Sequence, residues 1–197
     1  MSRRVKGSGP QWPRLRNASQ RVGLQVSDAW RMGSDCLICN KQASGDALGC
    51  GVIYEDDFVF ASHASPGIDS GDAYLGYVFV ETKRHVAGIG ELTPSEAAAV
   101  GVLVNDIGAV LRSSEGAEHV YSHVYGDGVP HLHVHLQARY PNTPREYWPK
   151  PVGRAAIIVS LGEWPQAPRG NMESVRSISC RLRDAVGHLR SGRPSFE

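Results

Sequence analysis

The sequence lacks the features that would place it in a membrane, on an export route or in a repeat array. No run approaches the ~18 apolar residues of a membrane-spanning helix. No charged stretch followed by an apolar one stands near the start. Arg3-Arg4 is followed by Gly, Pro, Trp and more Arg, so neither a secretory nor a twin-arginine leader is read. The expectation is a cytoplasmic protein. There is no internal repeat and no long low-complexity segment. Cysteines are few, at Cys36, Cys39, Cys50 and Cys180, and in a cytoplasmic chain they argue against a disulfide framework. A second Cys-x-x-Cys pair is missing. The net charge of +1 gives no support to nucleic-acid binding by the body of the protein.

What is present is enough chain for one domain with extensions, at 197 residues. Charge is unevenly spread. Residues 1–34 carry seven Lys/Arg and one acid, leaving 14 basic and 19 acidic residues for the rest. Residues 1–34 therefore read as a flexible basic tail, 35–141 as the folded domain, and 142–197 as an extension packing on its core. Val52, Tyr54, Phe58 and Phe60 predict a hairpin turning at Glu55-Asp56-Asp57. Residues 61–73 read as loop and 74–80 as an apolar strand. Thr93-Pro94-Ser95-Glu96 combines an N-cap, a first-turn proline and a capping box. It predicts a helix to about Arg112 with Val100, Leu103, Val104, Ile107 and Leu111 on one face. Strands follow over 120–125 and 131–139, a further strand over 155–161, and a terminal amphipathic helix through Val175, Ile178, Leu182 and Val186. Few strands are spaced as βαβ units, so the fold class is α+β with an antiparallel sheet.

The most informative stretch is His131-Leu132-His133-Val134-His135-Leu136. Period-two alternation is that of a half-buried strand, because successive side chains point to opposite faces. The three imidazoles share a face at roughly 6.6 Å intervals, and Leu132, Val134 and Leu136 enter the core. Three imidazoles on one face suit a metal, a phosphate or both. Imidazole is a good nucleophile toward a phosphoanhydride at neutral pH, being largely unprotonated there. The central His133 is the candidate nucleophile. One neighbour can bind a metal or orient the strand. The other, His135, can hydrogen-bond phosphate or protonate a leaving group.

Cys36-Leu37-Ile38-Cys39 has metal-ligand spacing. Zinc wants four ligands in tetrahedral geometry. His85, at the end of a strand, and His131, at the start of the histidine strand, can complete the set. Cys36, Cys39, His85 and His131 would form a closed, structural site. The alternative is two buried thiols and no metal. Cys50 and Cys180 read as packing residues.

Residues 131–137 resemble the signature of the histidine triad (HIT) family, and Ala138-Arg139-Tyr140-Pro141 resembles its exit. Residues 76–86, ending Thr82-Lys83-Arg84-His85-Val86, resemble the family's strand ending in Pro-Lys-Arg-His. Glu91-Leu92-Thr93 resembles its helix entry, and the cysteine pair the opening of zinc-binding bacterial members. The resemblance spans about half the chain, 35–141. It implies a five-stranded antiparallel sheet with two helices, to which this chain adds a C-terminal strand and helix. It implies a homodimer with joined sheets and a nucleotide or nucleotide-conjugate substrate; the lack of a long apolar run gives the expectation of no membrane partner. It implies a hydrolase or nucleotidyltransferase cleaving at the α-phosphate of a phosphoanhydride, phosphoramidate or dinucleoside polyphosphate. His133 would carry the nucleotidyl group, His135 would contact the phosphate, and Cys36, Cys39, His85 and His131 would bind structural Zn²⁺. Alternatives are a phosphorylase or sugar-nucleotide-type transferase, and a non-catalytic nucleotide-binding regulatory protein.

The chain departs from that pattern. Asp127 stands where Gln, Asn or Ser is common. Ser62 or His63 stands where a ribose-binding Asp is usual. Gln137 replaces an apolar residue and Thr82 a proline. Asp127, Gln137, Arg139, His63 and Ser62 are the candidate substrate-binding residues. His119 and His123 read as structural, Lys83 and Arg84 as surface charges, and His188 as solvent-facing. Tyr147 and Trp148 pack the extension or cover a nucleobase.

Overall fold

The structure is a computed structural model that describes residues 36–44, 51–67, 71–126, 128–148 and 166–192. The tail, Cys50, Asp127 and the strand expected over 155–161 lie outside the described residues.

Strand β1 (Val52–Glu55) and β2 (Val59–His63) form the expected hairpin. Asp56 makes the turn: its Oδ1 accepts from the N–H groups of Phe58 and Val59 at 2.8 and 2.9 Å. Asp in this role copies a backbone turn with its own carboxylate. Strand β2 runs to His63, beyond the Phe60 limit read from sequence. Ala61, Ser62 and His63 have weak strand preference, but each pairs with β4 (Tyr77–Thr82), at Val80, Phe79 and Val78. Tertiary pairing overrides propensity here.

The apolar run over 74–80 is split. Ala73–Tyr74 forms a short β3, and Gly76 turns the chain with φ +83 before β4 begins. A Cβ at Gly76 would lie 2.5 Å from the Tyr140 hydroxyl and 2.8 Å from Ala138 Cβ, so only glycine fits the approach of these strands. Strand β5 (His119–His123) and β6 (His133–Arg139) complete one antiparallel sheet in the order β1-β2-β4-β6-β5. Strand β7 (Arg169–Gly170) pairs with β3.

Three helices are described: α1 (Leu37–Ser44), α2 (Pro94–Ser113) and α3 (Met172–Ser191). Thr93 and Glu96 form the capping box that starts α2. This helix has the length and apolar content of a membrane span. Leu103, Ile107, Val110 and Leu111, however, are buried in a core shared with the sheet, the expected position of an amphipathic core helix. Helix α3 adds Ile178, Leu182 and Val186 to that core, facing Val59, Ala61, Val78, Val80, Val134, Leu136 and Ala138. Asp106, fully buried on α2, accepts from Arg190 Nε of α3 at 2.9 Å. Cys180, expected to pack inside, is exposed on α3, because the buried stripe falls on positions 175, 178, 182 and 186.

The core takes one face of the sheet. Phe60, Ser62, Tyr77, Phe79, Glu81, Tyr121, His123, His133, His135 and Gln137 alternate onto the other, as the strand registers require. Leu182→Ala should lower the free energy of unfolding by about 2–5 kcal/mol, since a fully buried leucine leaves a cavity. Urea denaturation of both proteins measures it.

Candidate functional site

The site is assembled from the beginning of α1, the end of β4 and the approach to β6. Cys36 and Cys39 stand one turn apart at the start of α1, so their sulfurs face the same way. Ile38 between them is 5% exposed and anchors the helix. His85 follows β4 in a loop tied to α2. Arg84 donates to Glu96 through Nε and Nη2, each at 2.7 Å, and to the Glu91 carbonyl at 2.9 Å. Those bonds, and the backbone N–H of Thr93, hold the Glu96 carboxyl down at about 2. Arg84 is therefore more than the surface charge expected of it: it fixes the loop that presents His85.

The four side chains meet. Cys36 Sγ lies 3.4 Å from His131 Nδ1, and Cys39 Sγ lies 3.4 Å from His85 Nδ1 and 3.5 Å from His131 Nδ1. All four ligand atoms fall within 4.8 Å of one another. A tetrahedral zinc with ordinary Zn–S and Zn–N bonds holds sulfur and nitrogen about 3.5 Å apart, so the donor set fits. The His131 Nε2–H donates to the Thr82 carbonyl at 2.8 Å, which leaves Nδ1 as the lone-pair nitrogen facing the sulfurs. Burial, then the Cys36 sulfur, push the Cys39 thiol up to about 11. A cation between the sulfurs would replace those protons. Two thiolates and two imidazoles leave no open position, so the geometry fits a structural zinc.

His131 ends up outside the strand proper and faces the sulfurs, whereas His133 and His135 stay together, ring centroids 4.7 Å apart. His133 Nδ1–H donates to the His131 carbonyl at 2.6 Å. Its Nε2 therefore carries the lone pair. His135 Nδ1 lies 2.5 Å from the Tyr77 hydroxyl. Burial pushes the Tyr77 pKa up, so the phenol keeps its proton and needs an acceptor, which Nδ1 provides. The His135 Nε2 then holds the ring proton; it is buried and without a partner among the described residues. Burial, followed by repulsion from His133 and His123, pushes His135 down to about 4, so the ring is neutral at pH 7. One imidazole offers a lone pair and its neighbour an N–H, side by side.

Around this pair, Phe79 packs edge-on against both rings, at 6.2 and 5.0 Å. Glu81 stands across from His133 in register, buried, and paired with Lys41 of α1. Lys41 also donates to Ser62 Oγ at 3.2 Å. Ser62 is thus on the histidine face, held by an ammonium. His63 points the other way and is corrected to a packing residue. Its Nε2 accepts from Gly76 N–H at 3.0 Å, its Nδ1–H donates to the Ala64 carbonyl at 2.8 Å, and it is 1% exposed. Neither nitrogen is left for a ligand. Gln137 and Arg139 continue the histidine row along β6. Arg139 stacks on Trp148 at 3.8 Å and reaches Glu118 at 3.5 Å. His123 pairs with His135 across β5 and β6, in an aromatic stack with Tyr121 and Tyr125. His188 is exposed, as expected.

Tyr77, Glu81 and Lys41 were not read from the sequence as site residues. The alternation of Tyr77, Phe79 and Glu81 marks a common face. That this face adjoins the histidines depends on β4 pairing with β6, which no local pattern announces.

Two consequences can be measured. Purified protein should hold about one zinc per chain, as a four-ligand set implies. Cys39→Ser should lose the metal and melt at lower temperature, read by metal analysis and thermal unfolding. His63 gives the second. Burial lowers its pKa from 6.5 to about 4, so between those values the unfolded chain binds a proton that the folded one refuses. Its contribution is intact above pH 6.5 and is lost as pH falls toward 4, by up to about 3 kcal/mol. His63→Leu should be less stable at pH 7 but lose less stability between pH 7 and 4.5.

No protein-family model matches the sequence, and no curated protein matches it. Solved structures do match by shape. A zinc-bound histidine triad family protein from Mycobacterium smegmatis superposes with a TM-score of 0.55 at 18% identity, covering 82% of this chain and 100% of that one. A hypothetical histidine triad nucleotide-binding protein from Sulfolobus tokodaii gives 0.51 at 15%, covering 71% and 85%. A histidine triad protein from Sinorhizobium meliloti gives 0.50 at 22%, covering 68% and 87%. The α+β architecture, the five-stranded sheet and these superpositions together give the chain the histidine triad fold.

Proposed function

We propose that the protein is a nucleotide hydrolase or nucleotidyltransferase that cleaves at the α-phosphate through a nucleotidyl-His133 intermediate. The observation that carries this reading is the hydrogen bond from His133 Nδ1–H to the His131 carbonyl at 2.6 Å. It commits Nε2 to a lone pair beside an N–H donor on His135. His133 Nε2 attacks phosphorus; the Nε2–P bond forms and the bond to the leaving oxygen or nitrogen breaks. A phosphate leaving group departs with the bonding pair as an anion, and an amine takes its proton from solvent. The adduct is an imidazolium, and the His131 carbonyl favours it by accepting Nδ1–H. His135 Nε2–H donates to a non-bridging oxygen, where charge accumulates. Water then attacks phosphorus, Nε2 recovers its electron pair, and the water proton leaves to solvent. Phosphate in place of water would make the same centre a phosphorylase.

Zinc at Cys36, Cys39, His85 and His131 would supply a cross-link and no chemistry to the substrate. It would hold α1, and with it Lys41, against the histidine face. The division into a basic segment over 1–34, a domain over 35–141 and an extension over 142–197 is part of this reading, and the β5 edge is the candidate surface for a homodimer.

The test is incubation with a panel of nucleoside phosphoramidates and phosphoanhydrides, acid quenching, and mass analysis of the His133 peptide. A nucleotidyl adduct is expected. His133→Asn should abolish the adduct and lower kcat by about a thousandfold or more, as loss of a nucleophile does. Turnover surviving that substitution would overturn the assignment, and nucleotide binding without any turnover would favour the regulatory reading. Because burial pushes the His135 ring down to about 4, its protonation should not reduce kcat/KM anywhere between pH 5.5 and 8.

A further inference from the structure

Three buried polar atoms without a partner among the described residues lie on one strand face: His135 Nε2, Gln137 Nε2 and Arg139 Nε. They occupy alternate positions of β6, so Gln137 lies roughly 7 Å beyond His135 and Arg139 roughly 14 Å beyond it. Folded proteins leave few such groups, and each costs stability. Three in a row on the strand that carries the nucleophile mark places where acceptors arrive. The reaction above uses only the first.

Gln137 is 4% exposed and sits in register between Tyr77 of β4 and Tyr121 of β5. Its cross-strand neighbours are thus both aromatic. An apolar residue would pack there without the cost of an unpaired amide. Beyond it, the Arg139 guanidinium carbon stands 3.8 Å over the Trp148 ring, a contact that holds the side chain without using Nε. Its Glu118 partner is half-exposed and 3.5 Å away, a weak neutraliser. The row therefore offers a neutral donor, then a positive charge.

We propose that Gln137 and Arg139 form a leaving-group subsite, for a leaving group that ends in an anionic head such as a carboxylate, phosphonate or phosphate. The subsite rests on the reaction assigned to His133 and His135. A leaving group with a short spacer would reach Gln137, with its charge directed toward Arg139. The small neutral leaving groups would leave both donors unpaired.

Two phosphoramidates of whichever nucleoside is turned over fastest distinguish the cases. One carries propylamine as leaving group, the other 3-aminopropylphosphonate. The wild-type protein should favour the phosphonate in kcat/KM by about ten- to hundredfold, the worth of hydrogen bonds to a charged group. Gln137→Leu should bring the ratio down toward about one, with a melting temperature equal to or above wild type because an unpaired amide is removed. Gln137→Glu, which keeps the shape but repels anions, should reverse the preference. A wild-type ratio near one, or a ratio that neither substitution moves, would overturn the subsite while leaving the reaction standing. Failure of both substrates to form the His133 adduct would overturn the reaction and the subsite together.

Discussion

His131 does three things at once, and the rest of the site depends on it. Its Nε2–H is tied to the Thr82 carbonyl, its Nδ1 faces two cysteine sulfurs, and its own carbonyl receives His133 Nδ1–H. The first bond joins the end of β4 to the approach of β6. The second brings in α1. The third decides which nitrogen of His133 carries the lone pair. A neutral imidazole has one donor and one acceptor, so fixing one fixes the other. Remove the carbonyl from its place and the His133 ring loses its tautomer as well as its aim.

The two halves of the site are thereby coupled. The cysteine pair positions α1, and α1 carries Lys41 across Phe60 and Phe79 to the buried Glu81. Glu81 stands opposite His133 in the sheet. A buried charge is tolerated only when paired and hydrogen-bonded; half-buried Lys41 pairs Glu81, and Ser62 and Gln42 add hydrogen bonds to the two. On the other side, Arg84 links the His85 loop to the capped start of α2. The metal donors are thus held from both directions by elements that also frame the histidine face.

The contrast between His63 and His135 shows how environment assigns roles. Both rings are pushed down to about 4 by burial. His63 has both nitrogens taken by backbone groups and is a packing residue. His135 has one nitrogen taken by Tyr77 and the other without a partner among the described residues. A lowered pKa is common to both; the hydrogen-bond count separates the ring whose two nitrogens are both used from the ring with one nitrogen to spare.

Much of this was legible in the chain. Period-two alternation fixed the histidine strand and its core face, since a one-residue slip would bury imidazoles and expose Leu132, Val134 and Leu136. Thr93, Pro94 and Glu96 fixed the start of α2, because capping is a local transaction between neighbours. Cys-x-x-Cys gave half of the metal set by spacing alone. The tertiary structure decided the rest. It carried β2 past Phe60 to His63, turned that imidazole inward, and sent His131 to the sulfurs while its two companions stayed on the sheet. It set Tyr77, Glu81 and Lys41 beside the histidines. Pairing of β4 with β6 joins residues 52 to 60 positions apart, and local preference has no term for such a contact: only the burial and hydrogen bonding of the assembled sheet select it.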